Sequence, residues 1–176
     1  MLFRSSVTPA SVAGVVKGQD GQPGELRGAF PLDRDLGTLF ANTEQGVFGY
    51  LTDPALLTGE AIPVAAEDQV HIGPATILAN VSGTEVAEYD VEILKVFDHA
   101  ADTRDLMLKV TDPDLLEQTG GIVQGMSGSP LLQNGRLIGA VSHVFINDPG
   151  KGYGVYIGNM LDAAEKIDAA ACAEAA

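Results

Sequence analysis

The sequence predicts a mainly β domain, a sandwich or barrel, closed by one short helix at its C-terminal end. Three observations predict it. First, apolar runs are short, and 21 glycines and 9 prolines in 176 residues break them with turn signals. Second, nine candidate strands recur at short, regular spacing: Ser11–Lys17, Gly24–Phe30, Gly46–Leu51, Gln69–Ala79, Glu88–Phe97, Leu106–Val110, Ser129–Leu132, Arg136–Ile146 and Tyr153–Ile157. Several alternate with period two; Val91 and Ile93 face one way, although Leu94 blurs the pattern. Third, helical spacing is confined to Met160, Leu161, Ala164 and Ile167. The run after them, DAAACAEAA, has nothing large to bury and is expected to fray. The boundaries read as a lead-in over 1–9, one folded domain over 10–168 and a disordered Ala-rich tail over 169–176.

Hydrophobic residues make up 45%, enough for a real core. Asp and Glu number 24 against 10 Lys and Arg, a net charge of −14. A surface of that sign repels nucleic acid and anionic membrane, so neither is expected as a partner. No apolar run approaches the ~18–20 residues of a spanning helix, so no membrane insertion by this chain is expected. The start, MLFRSSVTP, does not read as a secretory signal. Cys172 is alone, and His71, His99 and His143 are scattered without ligand spacing, so no metal or other cofactor is expected. The loop Val16–Gly24 reads as a hairpin turn, and no phosphate-cradling glycine motif occurs.

The chemistry is concentrated in Gly125-Met126-Ser127-Gly128-Ser129-Pro130. A serine nucleophile needs a turn that presents its hydroxyl and leaves neighbouring N–H groups free for an oxyanion. Glycines two before and one after Ser127 permit such a turn. Many ordinary turns also contain Gly and Ser, so the motif is only moderately specific by itself. Downstream, Asn134-Gly135 between apolar runs is a strong hairpin signal. A two-residue turn there pairs Gln133 with Arg136, Ser129 with Ala140 and Ser127 with Ser142. Strand alternation then points His143 away from Ser127 unless a bulge intervenes. Upstream, Thr111-Asp112-Pro113 reads as a turn opener whose Asp accepts local N–H groups before a short Leu115-Leu116 helical turn.

Gly-x-Ser-Gly-x-Pro, an apolar strand, a turn and then Gly139-Ala140-Val141-Ser142 resemble the active-serine region of trypsin-like serine peptidases. The longer runs Thr111–Pro130 and Asn134–Pro149, then Lys151–Gly154, specifically resemble the stage IV sporulation protein B peptidases. Upstream, Pro23–Gly28 and Asn42–Gly49 fit the same pattern, so the resemblance spans roughly Ala10 to Leu161. It implies a trypsin-like β-barrel domain and a serine endopeptidase that cleaves a protein partner in a sporulation signalling cascade. Such proteins are secreted or membrane-associated in spore-forming bacteria, with an anchor and a PDZ domain ahead of the peptidase domain. By matching position, Ser127 would be the nucleophile and Asp112 the essential aspartate. The backbone N–H groups of Ser127 and of a neighbour such as Gly125 would hold the oxyanion, with Ser142 in support.

One departure matters. The family's histidine lies in a Gly-His motif upstream of the segment matched by Pro23–Leu26, and no histidine here precedes His71. The chain is then either part of a longer protein, with its barrel incomplete at the N-terminus, or a homologue without the base. His143 reads as a base or, better, a groove residue; His71 and His99 read as loop or strand-end residues. Asp105 lies too near Ser127 in sequence for the aspartate of other trypsin-like peptidases. An inactive relative that binds protein segments by strand addition is the alternative, and an unpaired edge predicts self-association. A purely structural domain ranks last.

Overall fold

The structure is a computed structural model and describes residues 5–31, 33–56, 59–97 and 103–174. The elements in chain order are β1 (Ser5–Val7), β2 (Ser11–Val16), β3 (Glu25–Ala29), β4 (Gly37–Thr43), β5 (Gly46–Leu51), β6 (Gly73–Ser82) and β7 (Glu85–Val96). After them come β8 (Leu106–Val110), α1 (Pro113–Thr119), β9 (Pro130–Gln133), β10 (Arg136–Phe145), β11 (Asp148–Tyr156) and α2 (Ile157–Glu174).

Six strands close a barrel in the order β10-β11-β8-β7-β6-β9, as the trypsin-like expectation requires. Alternation drives it. In β6, Ala75, Ile77, Ala79 and Val81 point inward, and in β8 Leu106, Leu108 and Val110 do the same. Leu115 of α1, Leu131 of β9 and Ile138 of β10 complete a core with no exposed surface at those three side chains. Closure comes from Thr76 opposite Leu132 and Ile77 opposite Leu131. The remaining strands form two smaller sheets, β2-β3 and β1-β4-β5, outside the closed barrel.

The Asn134-Gly135 turn forms as read. Asn134 has φ 53° and Gly135 φ 72°, and Gln133 faces Arg136. Two residues further the register shifts: Leu137 faces Leu132, but Gly139 faces Leu131 and Ala140 faces Pro130. A bulge at Ile138 thus sets Ser129 against Val141, whose N–H donates to Ser129 O at 2.9 Å, rather than against Ala140. Replacing Gly135 by Val forces a β-branched residue into the left-handed region. It is expected to lower stability by about 1–2 kcal/mol in urea unfolding, while an unchanged midpoint would show the turn to be otherwise built.

The C-terminal helix α2 continues through Glu174, so the backbone of the Ala-rich stretch is helical to that point. Alanine, the strongest helix former, sustains it without large side chains.

Candidate functional site

The loop that presents Ser127 is fastened at each end. At its start, Asp112 caps α1: Oδ1 accepts from the Leu115 N–H at 2.9 Å, and Oδ2 accepts from the Asp90 N–H at 3.3 Å. Pro113 supplies the preset first turn, and Gly120, with φ 77°, ends the helix by donating its N–H to Leu116 O. Buried Thr119 then places its hydroxyl 2.8 Å from Leu115 O and 2.5 Å from Gly121 O. Beyond it the loop is stitched to its surroundings. Ile122 N–H donates to Pro149 O, Gln124 N–H to Gly24 O, and Leu26 N–H to Gln124 O. Met126, 1% exposed, plugs the loop into the core.

Most N–H groups of the loop find an acceptor. Val123 donates to Met126 Sδ, Met126 to Val123 O, Gly128 to Val141 O and Ser129 to Met126 O. Among the described residues, the N–H groups of Gly125 and Ser127 make no hydrogen bond. Gly125 (φ 99°) and Gly128 (φ 90°) supply the two left-handed steps that create this arrangement.

Ser127 Oγ donates to Ser142 O at 3.2 Å. Ser142 Oγ in turn donates to Thr103 O at 3.0 Å and lies 3.0 Å from His143 Nδ1. A second bulge explains this grouping. Val141 faces Gly154 and His143 faces Tyr153, which leaves Ser142 as the extra residue of β10. His143 consequently lines the same cleft as Ser127, where strand alternation alone points it away. The cleft has a volume of about 490 Å³. Its other walls are Thr103, Val155, Met160 and the β4–β5 turn from Glu44 to Val47.

Ser127, Ser142 and His143 are thus brought together, but His143 contacts the Ser142 hydroxyl rather than that of Ser127. Asp112 is not among the cleft residues; its carboxylate is engaged at the far end of α1. There burial, with the Asp112 and Asp114 charges adding to it, holds the Tyr89 phenol above its ordinary pKa. His71 bonds through its backbone to Gln133, away from the cleft, and His99 lies outside the described residues. Asp105 is buried and accepts from Tyr156 N–H and Asn159 Nδ2, a structural tie between β8 and α2. The sequence carries no signal that Glu44 to Val47 form a wall of the site, although Asn42–Gly49 belongs to the resembling segments. Its place opposite Ser127 depends on long-range packing that no local pattern shows.

A closed β-barrel that holds a serine on a glycine-bounded loop, beside two unpartnered N–H groups, is the architecture of a trypsin-like barrel domain. The chain belongs to the SpoIVB peptidase S55 family, whose model matches residues 2–161. No curated protein matches the sequence at a significant level. No described helix is long and apolar enough to cross a membrane.

Proposed function

We propose that this chain carries the nucleophile and oxyanion site of a serine endopeptidase of the sporulation-signalling type, which cleaves a protein partner through Ser127. The observation that carries the reading is the pairing of a cleft-facing Ser127 hydroxyl with the unpartnered N–H groups of Gly125 and Ser127. In the reaction a base takes the Oγ proton while Oγ attacks the scissile carbonyl carbon. The carbonyl oxygen becomes the oxyanion and accepts from the two N–H groups. The protonated base then gives its proton to the departing amine, and water later hydrolyses the Ser127 ester. Asp112 acts as a positioning residue, because α1, which it caps, feeds directly into the loop. His143 serves as a groove residue beside Ser142. Among the described residues no imidazole touches Ser127 Oγ, and by the family resemblance the base is a histidine of a Gly-His segment. The family resemblance supports a secreted or membrane-associated setting.

A second reading, strand addition without cleavage, is favoured by one feature. β9 begins at Pro130 opposite Ala140, so beyond Val141 the only strand that β10 pairs with among the described residues is β11.

A fluorophosphonate probe separates the two. The chain is expected to label slowly, because an unassisted serine is a weak nucleophile. Free imidazole diffusing into the cleft should raise the rate by about tenfold or more, and Ser127→Ala should abolish labelling. Labelling that survives Ser127→Ala, or that ignores imidazole, would favour the non-catalytic reading. Rapid unassisted labelling lost in His143→Ala would make His143 the base.

A further inference from the structure

The outer surface of four barrel strands next to the cleft differs in charge from the rest of the molecule. Register sets Lys95 opposite Met107, Met107 opposite Tyr153, and Tyr153 opposite His143. The adjoining row sets Glu92 opposite Lys109, and Lys109 opposite Lys151. Cross-strand partners share a face, and this face is the outer one because the intervening Ile93 and Leu108 are in the core.

Tyr153 is its centre. Its ring lies 4.7 Å from that of Phe145 and 6.3 Å from that of Phe97. Lys95 Nζ sits 4.4 Å above the Phe97 ring, and the Arg104 guanidinium 5.3 Å above Tyr153. Four of the chain's ten Lys and Arg, namely Lys95, Arg104, Lys109 and Lys151, therefore meet on this face. The same outer surface also carries the carboxylates of Asp90, Glu92 and Asp148, and Asp148 is paired with Lys151 at 2.8 Å. In a chain of net charge −14, this is an aromatic surface on which cations are concentrated and outnumber carboxylates, and it leads to His143 and the Ser127 cleft.

We propose that this face docks an acidic, aromatic-bearing segment of the protein substrate; the proposal rests on the peptidase reading above. Its cations attract carboxylates, and the three rings offer apolar bodies to aromatic side chains. The negative charge elsewhere repels such a segment, so it is directed to the surface that adjoins the reacting serine.

The test is fluorescence anisotropy with a labelled short peptide of alternating Glu and Tyr, a version with Lys for Glu, and one with Ala for Tyr. The Glu-Tyr peptide should bind about tenfold more tightly than either control, and less tightly as salt rises. Joint Lys95→Glu and Lys109→Glu substitution, at two exposed positions, should reverse the preference so that the Lys-Tyr peptide binds better. That reversal is a gain that misfolding cannot produce. Arg27→Glu, on β3, should leave binding unchanged. Equal binding of the Glu and Lys peptides, or a loss with Arg27→Glu as large as that with the double variant, would overturn the proposal. Ser127→Ala should not affect docking. Intact docking with failed probe labelling therefore removes the nucleophile alone, and the converse removes the docking surface alone.

Discussion

Gly121→Ala will destabilise the domain by about 3 kcal/mol or more, the largest stability loss expected from adding a single methyl group here. Gly121 has φ 128°, which L-residues rarely adopt. A Cβ there would meet Pro149 O at 2.2 Å, Pro149 C at 2.5 Å and Gly150 N at 2.8 Å. All three are backbone atoms of β11, and they cannot swing aside as a side chain could. Pro149 O also accepts the Ile122 N–H at 2.8 Å, so retreat would break the bond that fastens the Ser127 loop. Gly128→Ala is the proper control. Gly128 also has a positive φ, 90°, but nothing lies within 4 Å of its Cβ position, so only the backbone strain of about 1–2 kcal/mol applies. Urea midpoints measure both. Equal losses at the two sites would show that β11 yields to the contact.

The same loop shows what a linear reading can and cannot extract. Gly46–Leu51 and Leu106–Val110 coincide with β5 and β8, because short apolar runs between turn residues carry their own limits. The Asn134-Gly135 turn was legible for a similar local reason: both positions need φ > 0. The bulges at Ile138 and Ser142 were not legible. They arise where three strands of a closing barrel must share one register, and Ile138 looks like any other strand residue. Their consequence is functional, since together they decide which face His143 joins. β4 is hidden in the sequence because its burial alternates while its apolar residues do not: Leu39 and Ala41 share the inner face with Gly37 and Thr43, and Phe40 is exposed on the other. The local reading of Asp112 as an acceptor of neighbouring N–H groups matches its hydrogen bonds from Leu115 and Asp90. Its distance from the cleft follows from α1 lying between it and the loop.

Joining a family Gly-His segment ahead of residue 1 will raise cleavage of a peptide substrate by about 10³-fold or more. The direction of β1 is what makes this extension reasonable. β1 runs antiparallel to β4, with Val7 opposite Gly37 and Ser5 opposite Leu39. Moving back from Val7 to Ser5 therefore advances along β4 toward its turn at Glu44, which lines the Ser127 cleft. From Leu39 to Thr43 the distance along β4 is about 13 Å, at ~3.3 Å per strand residue, a span that a short added segment can bridge. Once there, its imidazole must come within ~3 Å of Ser127 Oγ, displacing the Ser142 carbonyl as the hydroxyl's acceptor. The size of the gain follows from how poorly a framed serine performs without its base: only the oxyanion site and binding remain. Replacing the added histidine by Ala should return the rate to that of the present chain. His143→Ala should change the extended protein only a few-fold, as befits a groove residue. An extended chain no faster than the original, although folded and stable, would count against Ser127 as a nucleophile. Loss of activity with His143→Ala would instead move the general base to β10.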